Sequence, residues 1–471
     1  MIKEKIVFYS SKIFNTIVKW DVKDYFMKKL LKPAIIIALI AGLLACSSKP
    51  NNTQGQFPQF AEKANQAQEN AQTQEEQQPE IDPDSIFTAE FIFNKESALK
   101  DDGQKSFGTI TSFELTSAMG TGWNLGNTFD ATGSTGLVSE LSWGQPLTEK
   151  AMIDGLAASG IKTLRIPISW NNHITDKRTY TIHTEWMQRI KEVVDWAIED
   201  GMYVIINSHH DNYEKPSAML RAHGYYPNEI NLVESQRFLY NVWGQIATAF
   251  NNGYDEHLIF ETMNEPRPAG TPCEWWFNGD TRCIEAAQCL NKLNQTALDA
   301  IRSTGGNNAK RFVMCPALQA SENAASAYAF KMPQDIEQGR LILSIHAYTP
   351  YSFAMESPGA RSFTDDHKSE LNTMFSKLKK KFIDNGYPVV IGEYGATNKD
   401  NLAERIAWFD YYVSTAHSLG IPCILWDNGV WQVRQDKNGN PDYNEGYGYY
   451  NRTNQKWYFP EILKTIVNAS K

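Results

Sequence analysis

Four times along this chain a helix-like pattern runs into a glycine, and an apolar strand-like run follows at once. The segments are AASG–IKTLRIP (157–167), AIEDG–MYVIIN (197–207), IDNG–YPVVIGE (383–393) and AHSLG–IPCILW (416–426). A glycine just past a helix takes the left-handed C′ conformation that other residues resist. A strand with few polar positions must be covered on both faces, as a parallel strand between helices is. A chain that repeats this unit is restricted to α/β architectures.

Eight candidate strands can be placed, near Gly120–Leu125, Lys162–Ile168, Tyr203–Asn207, Leu258–Thr262, Arg311–Cys315, Leu341–His346, Val389–Glu393 and Cys423–Trp426. Helical patterns separate most of them. Eight β/α units in about 360 residues fit a closed (β/α)8 barrel with long loops, with a doubly wound open sheet as the alternative. Thr148 and Thr184 are placed as N-caps of amphipathic helices.

The first hundred residues read differently. Lys28-Lys29 precede an apolar run from Ala34 to Ala45 that is too short for an ordinary membrane span, and small residues follow it. This is the pattern of an export signal. LLAC (43–46) resembles a bacterial lipobox, which implies a lipid anchor at Cys46 and export to a membrane surface facing the exterior or the periplasm. Translation from Met27 would give a more ordinary signal. From Ser47 to about Asp84 the chain is rich in Gln, Asn, Glu and Ala, a composition that cannot bury enough surface to fold. The expected organisation is a lipoprotein-type signal (1–46), a flexible linker and lead-in segment (47–106) and a catalytic barrel (107–471). Ala61–Ala71 has weak helical character.

A formal net charge of −9 argues against general nucleic-acid binding. In an exported chain a disulfide is allowed. Cys273, Cys283 and Cys289 lie close enough in sequence to supply one bridge, and no CxxC spacing suggests a thiolate metal site. The 13 Trp and 21 Tyr exceed what a core needs, and some are candidate stacking platforms for a flat, uncharged ligand.

Active sites of such barrels form where the strands end at their C-termini. The second candidate strand ends near Arg165, the third on Asn207-Ser208-His209-His210-Asp211 and the fourth on Asn264-Glu265-Pro266. The sixth ends on His346-Ala347-Tyr348, the seventh on Glu393 and the eighth on Trp426. Two carboxylates facing each other across the mouth suit glycosidic bond cleavage.

In fixed order the chain carries GWNLGNT (122–128), LRIP, HHD, MNEP, HAYTPY, IGEYG and WDNG. Together these resemble the family 5 glycoside hydrolases, retaining β-glycanases on a (β/α)8 barrel. GWNLGNTFDA with FETMNEPR and LSIHAYTPYSFA is most similar to subfamily 4, which holds endo-β-1,4-glucanases, some of them acting on xyloglucan, lichenan or xylan. The resemblance runs from about Gly120 to the C-terminus. It implies Glu265 as acid/base and Glu393 as nucleophile, with Asn264 on the sugar 2-OH. Arg165 and Tyr348 would orient Glu393, and Trp426 would stack on the sugar before the cleaved bond. His209, His210 and His346 would bond substrate hydroxyls or the acid/base. The acid role requires a high Glu265 pKa. No cofactor or metal is implied, the partner is a polysaccharide, and a monomer suffices. Trp143, Trp170, Trp275, Trp276 and Trp431 are candidate outer platforms. Two rivals compete. One is a metal hydrolase built from the His and Glu residues, disfavoured by Arg165 on the same rim. The other is a surface lipoprotein that binds glycans without cutting them.

Overall fold

The structure is a computed structural model that describes residues 98–214 and 224–471. The signal, Cys46, the Gln-rich stretch and the weak helix at Ala61–Ala71 lie outside the described residues. Among the described residues no helix is long and apolar enough to cross a membrane.

Eight parallel strands close a barrel: β1 (Thr121–Asn124), β2 (Thr163–Ile166), β3 (Tyr203–Asn207), β4 (Leu258–Glu261), β5 (Val313–Pro316), β6 (Leu341–His346), β7 (Val389–Tyr394) and β8 (Cys423–Leu425). Each strand lies beside its neighbours in sequence, and β1 pairs with β8 to complete the ring. The principal helices are α1 (Ser112–Ala118), α2 (Lys150–Ala158), α3 (Thr184–Glu199), α4 (Leu232–Ala249), α5 (Thr281–Ser303), α6 (Asp365–Lys381), α7 (Leu402–His417) and α8 (Pro460–Ala469). After β5 there are only two short helical turns, Leu318–Ala320 and Glu322–Ala325. The four glycines that first suggested the repeat, Gly160, Gly201, Gly386 and Gly420, all have φ between 70° and 95°. They stop each helix and turn the chain into the next strand.

Both expected N-caps fall one residue off. The cap of α2 is Glu149 and that of α3 is His183, and neither makes a side-chain capping bond. Thr148 instead donates its N–H to the buried Glu140 carboxylate. The His183 N–H donates to the carbonyl of His173, so the extended residue lies before Thr184 rather than on it.

Alternation along the strands divides the barrel interior into two layers. The lower layer is apolar. Ile205, Ile259, Met314, Ile342, Val390 and Ile424 meet there, and Leu115 and Met119 of α1 close the end. Burying each such side chain contributes about 1.5–3 kcal/mol. α1 is itself fixed by a capping box between Thr111 and Glu114. The lead-in residues strap this end from outside. The Asp101 carboxylate accepts from the N–H groups of Asn251 and Gly253 beyond α4, and Phe107 packs on Phe312 at 5.9 Å.

Candidate active site

Two residues above the apolar layer, the same alternation produces polar side chains. β1 contributes Asn124, β2 Arg165, β3 Asn207, β4 Glu261 and β6 Ser344, and all five are fully buried. Arg165 is the hub. Its Nε donates to Glu261 (2.8 Å), its Nη1 to Asn124 (2.8 Å) and Glu393 (2.8 Å), and its Nη2 to the Asn264 amide oxygen (2.7 Å). Asn207 and Ser344 complete the shell of Glu261, at 3.0 and 2.5 Å. Burial alone would raise the Glu261 pKa, but the charge of Arg165, with His346 and Ser344, outweighs it and holds the carboxyl at about 2. Sequence reasoning passed over Glu261 and read its strand only as an apolar run. The signal was present, since Glu261 stands two residues after Ile259, at the spacing that points both side chains inward.

The strand ends lie above this layer. Of the nine residues expected at the site, Arg165 belongs to the buried layer, and His209, His210, Asn264, Glu265, His346, Tyr348, Glu393 and Trp426 stand at or just beyond the strand ends above it. Glu393 is held at both oxygens, by Arg165 on Oε1 and by the Tyr348 hydroxyl on Oε2 at 2.9 Å. Glu265 pairs with His346 Nδ1 at 2.9 Å. Carboxylate oxygens of Glu265 and Glu393 and a ring nitrogen of His346 all lie within 4.8 Å of one another. The closing side chains are buried or nearly so, with Glu265 the most open at 20%.

The electrostatics differ from expectation in one respect. Burial raises the Glu393 pKa, and the charges of His346 and Arg165 only partly counter it. Burial also pushes Glu265 up, but its hydrogen bond with His346 and the charges of His346 and Arg267 bring it below its ordinary value. Burial and its neighbours thus push the two carboxyls in opposite directions, Glu265 down and Glu393 up. Burial disfavours a charged His346, but the charge of Glu393 and hydrogen bonds to Glu261 and Glu265 raise its pKa to about 9.

Opposite this cluster, Trp426 is mostly buried and stacks nearly parallel to His209 at 6.0 Å. The indole lies flat because residue 126 is glycine, where a Cβ would meet the Trp426 ring at 2.9 Å. His209 accepts at Nδ1 from the Asn207 amide (3.1 Å), which leaves Nε2 to donate. His210 meets Trp143 at 5.6 Å beside a recess of about 450 Å³, lined by loops that follow β1, β2 and β3. Of the five candidate platforms, Trp170 is excluded. It is wholly buried and its Nε1 donates to the carbonyl of Asn207, because its strand-end position turns it into the core. Trp431 is partly covered by Tyr458, stacked at 4.5 Å. Trp143 is 38% exposed, Trp275 58% and Trp276 62%.

The donor chemistry speaks against the metal rival at the centre. Arg165 already occupies the Glu393 oxygen that a cation would share, and its own charge would repel one. The expected disulfide joins Cys273 to Cys283, while Cys289, Cys315 and Cys423 stay buried as thiols.

Comparison with known proteins bears on the family of the chain. Residues 125–431 match the profile of cellulase (glycosyl hydrolase family 5). Endoglucanase B of Ruminococcus albus is 40% identical over 358 residues, which cover 75% of this chain and 80% of that protein. A broad-specificity endoglucanase of subfamily 4 from Ruminococcus champanellensis, solved with bound cellotriose, superposes with a TM-score of 0.69 at 38% identity, over 77% of this chain and all of that one. A mutant lichenase of Caldicellulosiruptor sp. F32 in complex with cellotetraose gives 0.70 at 36% identity, over 79% of this chain and 98% of that one. With the barrel, the paired carboxylates and these likenesses in agreement, the chain belongs to the cellulase family, glycosyl hydrolase family 5.

Proposed function

We propose that this protein is an endo-acting retaining β-1,4-glucanase that cuts internal bonds of plant cell-wall β-glucan. One observation carries the reading: two carboxylates from opposite strands, β4 and β7, present oxygens within 4.8 Å of each other at the cleft floor. That separation suits direct attack by a carboxylate, whereas an inverting site needs about 6.5–9.5 Å to hold a water.

In this reading Glu393 is the nucleophile. Arg165 and Tyr348 fix both its oxygens and so set its line of attack on the anomeric carbon. The sugar lies on Trp426, with its 2-OH against the Asn264 amide and neighbouring hydroxyls against His209 and His210. Glu265 protonates the departing oxygen and later takes a proton from the attacking water. The proton it needs is held one hydrogen bond away, on His346 Nδ1. Glu265, His346 and Glu393 lie close enough to titrate as a group, so Glu265 that has given its proton to the leaving oxygen can draw another from His346.

Mixed-linkage glucan is the second reading, favoured by the likeness to a lichenase. Xyloglucan, xylan and mannan remain further choices of the same chemistry. Parallel assays on carboxymethylcellulose, lichenan, xyloglucan, xylan and mannan decide among them, and NMR of the first product anomer tests retention. Cleavage of mannan alone, or an inverted first product, would overturn the corresponding part of the reading. For residues 1–46 we propose export and lipidation at Cys46, to be tested by mass spectrometry of the mature N-terminus.

A further inference from the structure

Beyond β8 the chain makes a long loop and comes back as EGYGYYNR (445–452). None of the strand-end motifs includes this stretch, yet it is built against the strand that carries Glu393. A Cβ at Gly448 would meet the backbone nitrogen of Trp431 at 2.5 Å. Only glycine lets the stretch lie that close to its own loop, where the Gly448 N–H donates to the Val430 carbonyl at 2.7 Å. Tyr449 and Tyr450 donate their N–H groups to one oxygen of Asp427, at 3.0 and 2.8 Å, and the Trp123 indole gives that oxygen a third bond at 2.9 Å. Asp427 is wholly buried and directly follows Trp426. The stretch is thereby fixed to β1 and to the end of β8.

From that base two tyrosines reach toward β6 and β7. The Tyr449 hydroxyl clamps a single residue, accepting from the Ala396 N–H at 3.1 Å and donating to the Ala396 carbonyl at 2.8 Å. Ala396 lies three residues past Glu393. Tyr447 is buried between the loops that follow the two strands. Its ring lies 5.3 Å from the Tyr348 ring. Its hydroxyl donates to the Ala354 carbonyl at 3.2 Å, and the same carbonyl accepts the Thr397 N–H at 3.0 Å. On its other side the fit to Gly395 is tight, since a Cβ there would meet the Tyr447 ring at 3.1 Å. Tyr348 is the residue whose hydroxyl holds Oε2 of Glu393. A side chain just past a strand end keeps such a bond only where packing locks its rotamer.

We propose that Tyr447 is a positioning residue for the nucleophile: wedged between Gly395 and Tyr348, it keeps the Tyr348 hydroxyl on Glu393, while Tyr449 fixes the backbone beyond Glu393. This rests on the reading of Glu393 as nucleophile. Without the wedge Tyr348 loses its fixed direction and Glu393 loses a donor. A hydrogen bond to the charged form favours that form, so the carboxyl then ionises at higher pH. The charged and titratable groups that face Glu393 are Arg165 of β2, Glu265 beyond β4, and His346 and Tyr348 at and beyond the end of β6. The wedge acts on the last of these.

The test uses a dinitrophenyl β-cellobioside with fluorine in place of the 2-OH. The Glu393 carboxylate bonds the anomeric carbon as dinitrophenolate leaves, a departure that needs no acid, and mass spectrometry reads the rate and the labelled residue. Tyr447→Leu is expected to slow labelling, and to lower kcat on an aryl β-cellobioside, at least about tenfold with KM within about twofold, the scale of one lost bond to a charged group. The acidic limb of kcat/KM moves to higher pH. Tyr447→Phe keeps the ring, loses only the bond to Ala354 and retains most of the activity. Tyr348→Phe slows the enzyme by a similar factor, and adding Tyr447→Leu to it costs little more, because both act through one bond. Gly395→Ala pushes on the same ring more mildly and gives a smaller loss in the same direction, which keeps the test open if Tyr447→Leu does not fold. Labelling at the wild-type rate in Tyr447→Leu, or in Gly395→Ala where that variant stands alone, would overturn the wedge. So would losses that multiply in the double variant. If the wild-type protein is labelled elsewhere than Glu393, or not at all, the nucleophile reading falls first.

Discussion

Arg165 and Arg311 are both wholly buried, at opposite ends of the same barrel. Arg311, just before β5, spends its donors on neutral oxygens: the carbonyls of Asn251, Tyr254, Asp255 and Leu258 and the side chain of Asn308. Phe107 and Phe260 lie against its faces, at 5.3 and 5.4 Å. Arg165 spends its donors on two carboxylates and two amides. Each guanidinium has lost its water, and each has its bonds replaced by protein. The difference is what else is stored there. Around Arg311 a single charge gathers loop carbonyls and fastens the closed end. Around Arg165 opposite charges are kept unscreened a few ångströms apart, where substrate can use them.

The contrast can be broken by removing each cation. The largest effect is expected from Arg165→Met, which leaves Glu261 and Glu393 buried without their partner. Stability should fall by about 3–5 kcal/mol, with loss of most activity in the molecules that remain folded. Chemical denaturation and active-site titration separate the two losses. Next come Glu393→Gln and Glu265→Gln, each expected to lower turnover at least about a hundredfold while the melting curve stays close to wild type. Near-normal turnover in either variant would remove that residue from its role. Arg311→Met should do the reverse. It costs about 1–3 kcal/mol because several carbonyls lose their donor, yet kcat per folded molecule is unchanged. A drop in kcat there would mean that the two ends are coupled.

The smallest effect is one of pH. The folded-state pKa of His346 lies above its ordinary value of 6.5, at about 9. Its contribution to stability is therefore complete below pH 6.5 and is lost as pH rises through about 9. Between those limits wild type should lose stability more steeply than His346→Gln, measured by denaturant melts across that range. Parallel curves would show that the imidazole is not held charged.

How much of this the sequence displayed follows from the same two layers. Strand positions were legible, because glycine stops and apolar runs are local, and β3 and β6 fall on their expected residues. The rim was legible because residues that end strands carry the motifs. The layer beneath it was not. Asn124, Glu261 and Ser344 act only in register with neighbouring strands, such as Asn207 beside Glu261, and register is a property of the closed ring. The downward push on Glu265 was hidden for a similar reason. It arises from His346, which β6 carries to Glu265 from 81 residues away. Trp170 misled because a tryptophan just past a strand end can face either way. Which of the similar polymers is preferred depends on loop shape around the recess and the disulfide-closed loop, and no short motif encodes that.

The strap at Asp101 and Phe107 has a practical consequence. The polypeptide joins the barrel at its blind end, against the carbonyl-bound Arg311 and the α1 plug, a full strand length below the groove. A support, partner domain or sensor surface grafted ahead of residue 98 would take hold of the molecule by its base.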